Sequence, residues 1–449
     1  MKNPCFLKIA GVELAALTLT AGQVSAVVKA PPVSKPNIIF ILSDDVGLGD
    51  IGCCGGPFKT PNIDALAKNG TRFELCYANP LCGPSRCEAL TGRYPFRTGL
   101  NSNHSADAIH PSREVMIQNV MKSAGYATVC AGKWGQMSYG PTEWGFDESI
   151  VFGTHGTSRY WSEPTSSYVL NGKPATLPAG SYFPDVAQNF IIDFITRHKD
   201  QPFFAYYPMP HVHAPILRTP DSATGDEPDQ LYTDNVEYMD KLVGRLMSDL
   251  DRLGLREKTV IIFTGDNGTA RMGVKLATVD GKPISGMKGT MLEGGSRVPL
   301  IVSWPGTTPS GQVKKDLIDF SDFFPTFAEL GGAKLPAGVT IDGHSFAPQI
   351  SGKKGVPRDW MYVELSGKSY ARNAGFKLTN RGELFDMSDA PFKEIPIVAN
   401  TTNADAAAAR ATLQKVLDEH QAAPVTANDS KKKQKKAANK KAAKKSSAL

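Results

Sequence analysis

Three short stretches of this chain carry residue types that could act together on one substrate. Cys82-Gly83-Pro84-Ser85-Arg86 sets a thiol four residues ahead of a guanidinium. Asp44-Asp45 closes the apolar run 37–42 (NIIFIL), and Asp266-Asn267 closes 259–264 (TVIIFT). Open α/β sheets bind ligands beyond the carboxyl ends of their strands, so two acid-rich strand ends could meet at one point. Three carboxylates and an amide oxygen form a hard, all-oxygen set suited to Ca²⁺ or Mg²⁺ and not to Zn²⁺, which favours His and Cys. Aspartate at either end alone could equally cap a turn; both pairs behind buried strands favour a metal. Pro84 fits the start of a helix. Cys82 would then sit just ahead of that helix, where amide groups and the dipole favour anions.

The elements that must deliver these groups follow from hydrophobic periodicity. Runs 37–42 and 259–264 predict strands buried on both faces, and 126–131, 203–207 and 298–304 predict three more. Thr60-Pro61 opens a helix through Leu66, with Thr60 as N-cap, and 186–197 and 231–253 have helical spacing. Alternating strands and helices predict an α/β fold, a large mixed β-sheet sandwiched by helices. After about residue 335 the texture becomes Gly- and Pro-rich, with short strands at 361–365 and 376–378 and a helix at 405–420. That change predicts a smaller C-terminal α+β subdomain.

CGPSR followed by CEALTGRYPFRTG resembles the signature of the type I, formylglycine-dependent sulfatases, arylsulfatase-like members of the alkaline phosphatase superfamily. PNIIFILSDDVGLGDIGCCGG, TPNIDALAKNGTRF, AGKWG, PHVHAP, FTGDNG and GMKGTMLEGGSRVPLIVSWPG are similar to other blocks of that family, in the same order. The resemblance covers most of the folded chain. It implies an alkaline phosphatase-like fold, hydrolysis of sulfate esters, and oxidation of Cys82 to formylglycine (3-oxoalanine) by a separate maturation enzyme. It implies Ca²⁺, or Mg²⁺ in its place, on Asp44, Asp45, Asp266, Asn267 and the oxygen of modified Cys82. Arg86 matches the arginine that steadies the nucleophile. Lys133 and Lys288 match two lysines that grip sulfate. His213, in His-Ala-Pro, matches the histidine that assists the leaving oxygen, and His211 remains as a further substrate contact or as a support behind the site. The roles make physical sense: a sulfate ester repels nucleophiles with its anionic oxygens, and a metal plus three cations would offset that charge. One departure stands out. Many relatives carry histidine two positions after the first lysine, where this chain has Gly135; either His211 or Gln136 substitutes, or the release of sulfate is organised differently.

Bulk properties set the context. The chain has 449 residues, 41% hydrophobic and 21% charged, enough for a large core. Its net charge of +6 is unevenly placed: nine lysines follow residue 430. Without them and the N-terminal segment the body is acidic, so the basic balance does not point to nucleic acid. Lys2, Lys8, the apolar run 10–21 and Val24-Ser25-Ala26 predict a secretory signal at 1–26, although Glu13 interrupts it. The expected organisation is signal 1–26, linker 27–35, catalytic domain 36–335, C-terminal subdomain 336–425 and a disordered Lys-rich tail 426–449, which could contact anionic polymers. No stretch reaches the roughly 18 apolar residues of a membrane span. The expected location is therefore periplasmic, cell-surface or secreted.

Among the cysteines, Cys53, Cys54, Cys76 and Cys87 could form a bridge, or a zinc cluster with awkward spacing. Two other functions remain open at this level. One is a phosphate or phosphonate ester hydrolase of the same superfamily; the other is a non-catalytic binder of sulfated glycans. The expected substrate is a sulfated glycan or an aryl or alkyl sulfate. Loops 100–112, 153–182 and 270–285 are expected to wall the pocket, with Arg159, Tyr160 and Trp161 as candidate sugar contacts.

Overall fold

An uninterrupted run of apolar residues needs cover on both sides, and the computed structural model, which describes residues 35–420 apart from 136, 153–159 and 163–166, provides it. β1 (Asn37–Ser43) is buried throughout. Ile39 and Ile41 face one core, whereas Ile38, Phe40 and Leu42 face the other. Nine further strands complete a mixed sheet: β2 (Thr71–Tyr77), β3 (Ala127–Gly132), β4 (Glu148–Phe152), β5 (Tyr168–Leu170), β6 (Lys173–Ala175), β7 (Phe203–Tyr207), β8 (Thr259–Gly265), β9 (Arg297–Ser303) and β10 (Gln312–Asp319). The order is β10-β2-β9-β8-β1-β7-β3-β4-β5-β6. The central strands β8, β1, β7, β3 and β4 run parallel, and β9 runs against both β8 and β2.

Helices cover both faces, as expected for buried parallel strands. α1 (Pro61–Lys68), α4 (Phe183–Arg197) and α5 (Pro228–Arg252) pack on one side through Ile63, Ile191, Phe194 and Leu242. α2 (Cys82–Thr91), α3 (Ile117–Ser123) and α6 (Phe323–Leu330) pack on the other through Leu90, Met121 and Phe327. Two expectations about helix starts are corrected. Thr60 precedes α1, but its hydroxyl accepts from the Gly52 N–H and donates to Asp64. The free Asn62 and Ile63 N–H groups go instead to the Asp240 carboxylate on α5, at 3.0 and 2.8 Å. α2 begins at Cys82 itself, with Pro84 as its third residue.

Beyond residue 335 lies an antiparallel sheet, β11 (Met361–Leu365), β12 (Lys368–Arg372), β13 (Phe376–Thr379), β14 (Leu384–Asp386) and β15 (Ile395–Ile397). One face takes α7 (Ala404–His420) through Leu413 and Leu417; the other meets Tyr77 and Leu317 of the large sheet. Glu364 on β11 is buried, with no ion pair among the described residues. Burial pushes its carboxyl from 4.5 up to about 7, so folding favours the protonated acid. The resulting penalty is absent below pH 4.5, grows as pH rises, and is complete above about pH 7. Glu364→Gln removes the ionisation and should stabilise the chain by about 2–3 kcal/mol at pH 8 and by little at pH 4.5. Denaturant melts at the two pH values check this.

Candidate active site

Strand register assembles the site. β1 pairs with β8 through Ser43↔Gly265 and with β7 through Ile41↔Tyr207, and β7 pairs with β3 through Tyr206↔Cys130. Residues just past these parallel ends therefore emerge side by side: Asp266-Asn267, Asp44-Asp45, the segment holding His211 and His213, and Lys133. Backbone bonds continue the seam beyond the strands. The Asp266 N–H donates to the Ser43 carbonyl at 2.9 Å, Asp44 to His211 at 2.7 Å, and Lys133 to Pro208 at 2.7 Å. Asp45 takes a left-handed φ of 62° and donates its N–H to Asp266 Oδ1 at 3.0 Å; aspartate tolerates that conformation better than most residues.

α2 brings the thiol. Cys82 is its first residue, 1% exposed, and Arg86 lies one turn on, on the same face. The Arg86 guanidinium is buried. Nη2 lies 2.7 Å and Nε 2.9 Å from Asp266 Oδ2, Nη1 donates to the Lys133 carbonyl at 2.9 Å, and Nη2 lies 3.7 Å from Asp44 Oδ1. Ligand atoms of Asp44, Cys82 and Asp266 all lie within 4.8 Å of one another, as do those of Asp44, Asp45 and His213. Lys133 pairs with Asp44 and Lys288 with Asp45. Lys288 reaches in from a separate loop, which is fastened by Lys288 N–H to the Thr269 carbonyl at 3.0 Å and Gly289 N–H to the Pro80 carbonyl at 2.8 Å.

Electrostatics follow from this crowding. Burial alone would raise Asp44, but Lys133, His213 and Arg86 hold it below the usual carboxylate range. Burial opposes the charge on Lys133 and on Lys288, yet Asp44 and Asp45 respectively keep each ammonium above its usual value. Burial first, and then Asp266 and Asp44, hold the Cys82 thiol up. Three carboxylates thus face three cations, leaving the cluster near neutral. A divalent cation would make it net positive, as an anionic ester requires.

The donor set fits such a cation. Asn267 Oδ1 and Asp44 Oδ1 are buried and accept no hydrogen bond. Buried polar atoms seldom stay unsatisfied without a reason. Asn267 Nδ2 is committed to Asp45 Oδ1 at 2.9 Å and the Gly268 carbonyl at 3.0 Å, which leaves its oxygen buried and without a donor. Carboxylate and amide oxygens suit Ca²⁺ or Mg²⁺.

The two histidines separate. His213 belongs to the cluster, with Nδ1 2.6 Å from the Ala214 carbonyl. His211 is 0% exposed, its Nε2 lies 3.0 Å from the Tyr182 hydroxyl, and it is surrounded by the rings of Tyr160, Tyr182 and Tyr238. Burial drops its pKa to about 3, so it stays neutral. Of the two readings of His211, the structure favours support over substrate contact: it braces the turn after β7. Gln136 lies outside the described residues, as does Arg159. Gly135 has a structural reason. Its φ is 101°, and a Cβ there would come within 2.9 Å of Arg86 Cδ, so a side chain would displace the guanidinium. Tyr160 is buried, with its hydroxyl on the Pro210 carbonyl at 2.6 Å, and supports the same turn instead of facing a sugar.

Other expectations fail on position. Cys53 and Cys54 pack with one core, Cys76 and Cys87 with the other across the sheet, and none is bridged, so neither the zinc cluster nor a disulfide among the four forms. Two residues went unread in the sequence. Asp50 accepts from the Gly47 N–H at 2.8 Å, Thr269 at 2.6 Å and Tyr232 at 2.8 Å, tying the turn after Asp45 to the turn after Asn267. Asn103 donates to Cys82 Sγ at 3.3 Å. Neither has a spacing or composition that distinguishes it from its neighbours.

Comparison with known proteins places the chain in a family. The Sulfatase family profile matches residues 36–333, and the profile of the N-sulphoglucosamine sulphohydrolase C-terminal region matches 287–422. N-acetylgalactosamine-6-sulfatase of Canis lupus familiaris is 32% identical over 375 residues, covering 77% of this chain and 71% of that protein. Arylsulfatase A of Bos taurus is 33% identical over 404 residues, covering 80% and 76%. The crystal structure of Ps i-CgsB in complex with k-i-k-neocarrahexaose superposes with a TM-score of 0.76 at 27% identity, covering 87% of this chain and 94% of that one. Among the described residues no helix is long and apolar enough to cross a membrane. On profile, relatives and fold together, the chain belongs to the type I sulfatases of the alkaline phosphatase superfamily and is a hydrolase of sulfate esters.

Proposed function

We propose that this sulfatase acts on a sulfated carbohydrate, with formylglycine at position 82 and Ca²⁺ on Asp44, Asp45, Asp266 and Asn267. The observation that carries the reading is the meeting of Asp44, Cys82 and Asp266 within 4.8 Å, with the buried Oδ1 atoms of Asp44 and Asn267 accepting no hydrogen bond. Together the aldehyde hydrate and the ion supply an oxygen nucleophile and a positive charge. The remaining work falls to the chain. Arg86 fixes Asp266 and the Lys133 carbonyl. Lys133 and Lys288, with side chains 5% and 17% exposed, bind sulfate oxygens and neutralise charge in a site that largely excludes water. His213 holds a proton for the departing alcohol oxygen.

A carbohydrate substrate is supported by the names of relatives, an N-acetylgalactosamine-6-sulfatase and a protein crystallised with a neocarrahexaose. Export by signal 1–26, a catalytic domain at 36–335, a subdomain at 336–425 and a maturation enzyme as partner belong to the same proposal. The tail 426–449 is proposed to contact anionic polymers. Metal removal tests the centre. EDTA should cut turnover of an aryl sulfate at least about 100-fold and lower the melting temperature, and excess Ca²⁺ should restore both. Unchanged activity after exhaustive chelation would overturn the calcium reading. A desulfation screen over sulfated oligosaccharides, with an aryl phosphate as control, tests the substrate class.

A further inference from the structure

Asn103 contacts position 82 from outside both strand ends and helices. It sits in the turn 102–105, closed by the Ser105 N–H on the Ser102 carbonyl at 3.1 Å and by the Ser102 and Ser105 hydroxyls at 2.8 Å. Leu100 and Ile109, both buried in the second core, pin the two ends of its loop. The Ser366 N–H, at the β11–β12 turn, donates to the Asn101 carbonyl at 3.4 Å, so the antiparallel sheet also holds the loop in place.

The carboxamide can sit only one way round. The Gly83 N–H lies 2.9 Å from Asn103 Oδ1, and the other amide atom lies 3.3 Å from Cys82 Sγ. A backbone N–H can only donate. Flipping the amide would set N–H against N–H at Gly83, so Oδ1 must face Gly83 and Nδ2 must face position 82. The reactive atom therefore meets a fixed donor, anchored to the next residue of the same helix.

We propose that Asn103 is a catalytic residue of this site: its amide N–H binds the reactive atom at position 82, holds its direction, and stabilises negative charge as it develops there. The role rests on the reading of position 82 as the nucleophile. The contact itself does not, because it is made to the thiol.

Asn103→Asp separates this role from simple loop anchoring. Aspartate keeps the acceptor for the Gly83 N–H and the shape of the side chain, but it replaces the donor with an oxygen. In the matured chain, kcat on an aryl sulfate should fall about 100-fold, the scale of losing one donor to developing charge, with KM within about threefold. Asn103→Ala should fall comparably, so the acceptor alone gives no rescue. Peptide mass spectrometry should show equal formylglycine content, and melting temperatures should match the wild type. In the chain produced without maturation, Cys82 alkylation by iodoacetamide at one fixed pH should be at least about tenfold slower in Asn103→Asp, with Cys53 alkylation unchanged. An Asp variant within twofold of wild type in both kcat and Cys82 alkylation would overturn the proposal. An inactive matured wild type that still shows the alkylation contrast would overturn the sulfatase chemistry proposed for position 82 and leave the Asn103 contact standing.

Discussion

Cys82→Ala should abolish turnover, with kcat reduced at least about 10⁴-fold, because it removes the nucleophile from a site whose remaining groups only bind and polarise. The fold should survive. Cys82 is buried at the start of α2, yet it is small and bridged to nothing, so the expected stability cost is about 1 kcal/mol. Cys82→Ser is the sharper variant. It offers one oxygen but no second one with which to expel sulfate, so at most one equivalent of product per enzyme is expected. Rapid-quench assay of both variants, alongside melts, gives the comparison. Multiple turnovers by the serine variant would mean that the chain does not need an aldehyde.

Arg86→Leu should damage both stability and activity. The guanidinium is wholly buried and satisfies Asp266 and the Lys133 carbonyl. Taking away one member of a buried ion pair leaves the other uncompensated, at about 3–5 kcal/mol. In this chain two carboxylates, Asp266 and Asp44, would lose positive charge at once. The melting temperature should therefore drop by roughly 4–6 °C, and kcat should fall at least about 100-fold as Asp266 and Lys133 lose their positions. Arg86→Lys should rescue little. One ammonium cannot reproduce three directed N–H contacts in a plane. Added Ca²⁺ should recover part of the stability of Arg86→Leu, because the ion replaces some of the missing charge near Asp44 and Asp266.

Much of this site was legible because its residues end strands with unmistakable patterns. The runs before Asp44 and Asp266 are continuously apolar, and they proved to be central strands with both faces covered. Parallel register then turned two positions in sequence into one position in space. β2 was harder to see because Arg72 and Glu74 interrupt its apolar residues and pair with each other on the half-covered face. β10 begins QVKKD on the outer edge of the sheet, where polar side chains need no burial. After residue 365 only the strand at 376–378 was legible; Lys368–Arg372, Leu384–Asp386 and Ile395–Ile397 carry too few residues to establish a period.

The errors have a common physical origin. His211 and His213 have similar chemistry and lie two residues apart; the His-Ala-Pro pattern singled out His213, but the enclosure of His211 by three tyrosine rings has no signal in the sequence. The cysteine cluster failed because residues close in sequence lie on opposite sides of a sheet. Gly135 looked like a lost histidine. In three dimensions it is a position where Arg86 leaves no room for a side chain. Asn103 was invisible because its value lies wholly in a loop conformation, and Asn101 two residues earlier has the same chemistry.

The chemistry turns on the state of position 82, which can be read in the tryptic peptide 73–86. It holds both Cys76, buried in the core, and Cys82, at the acidic cluster. In protein co-expressed with a maturation enzyme, position 82 should carry an aldehyde that forms a hydrazone, while Cys76 remains a thiol in the same peptide. An active sample whose position 82 is still an alkylatable thiol would contradict the account.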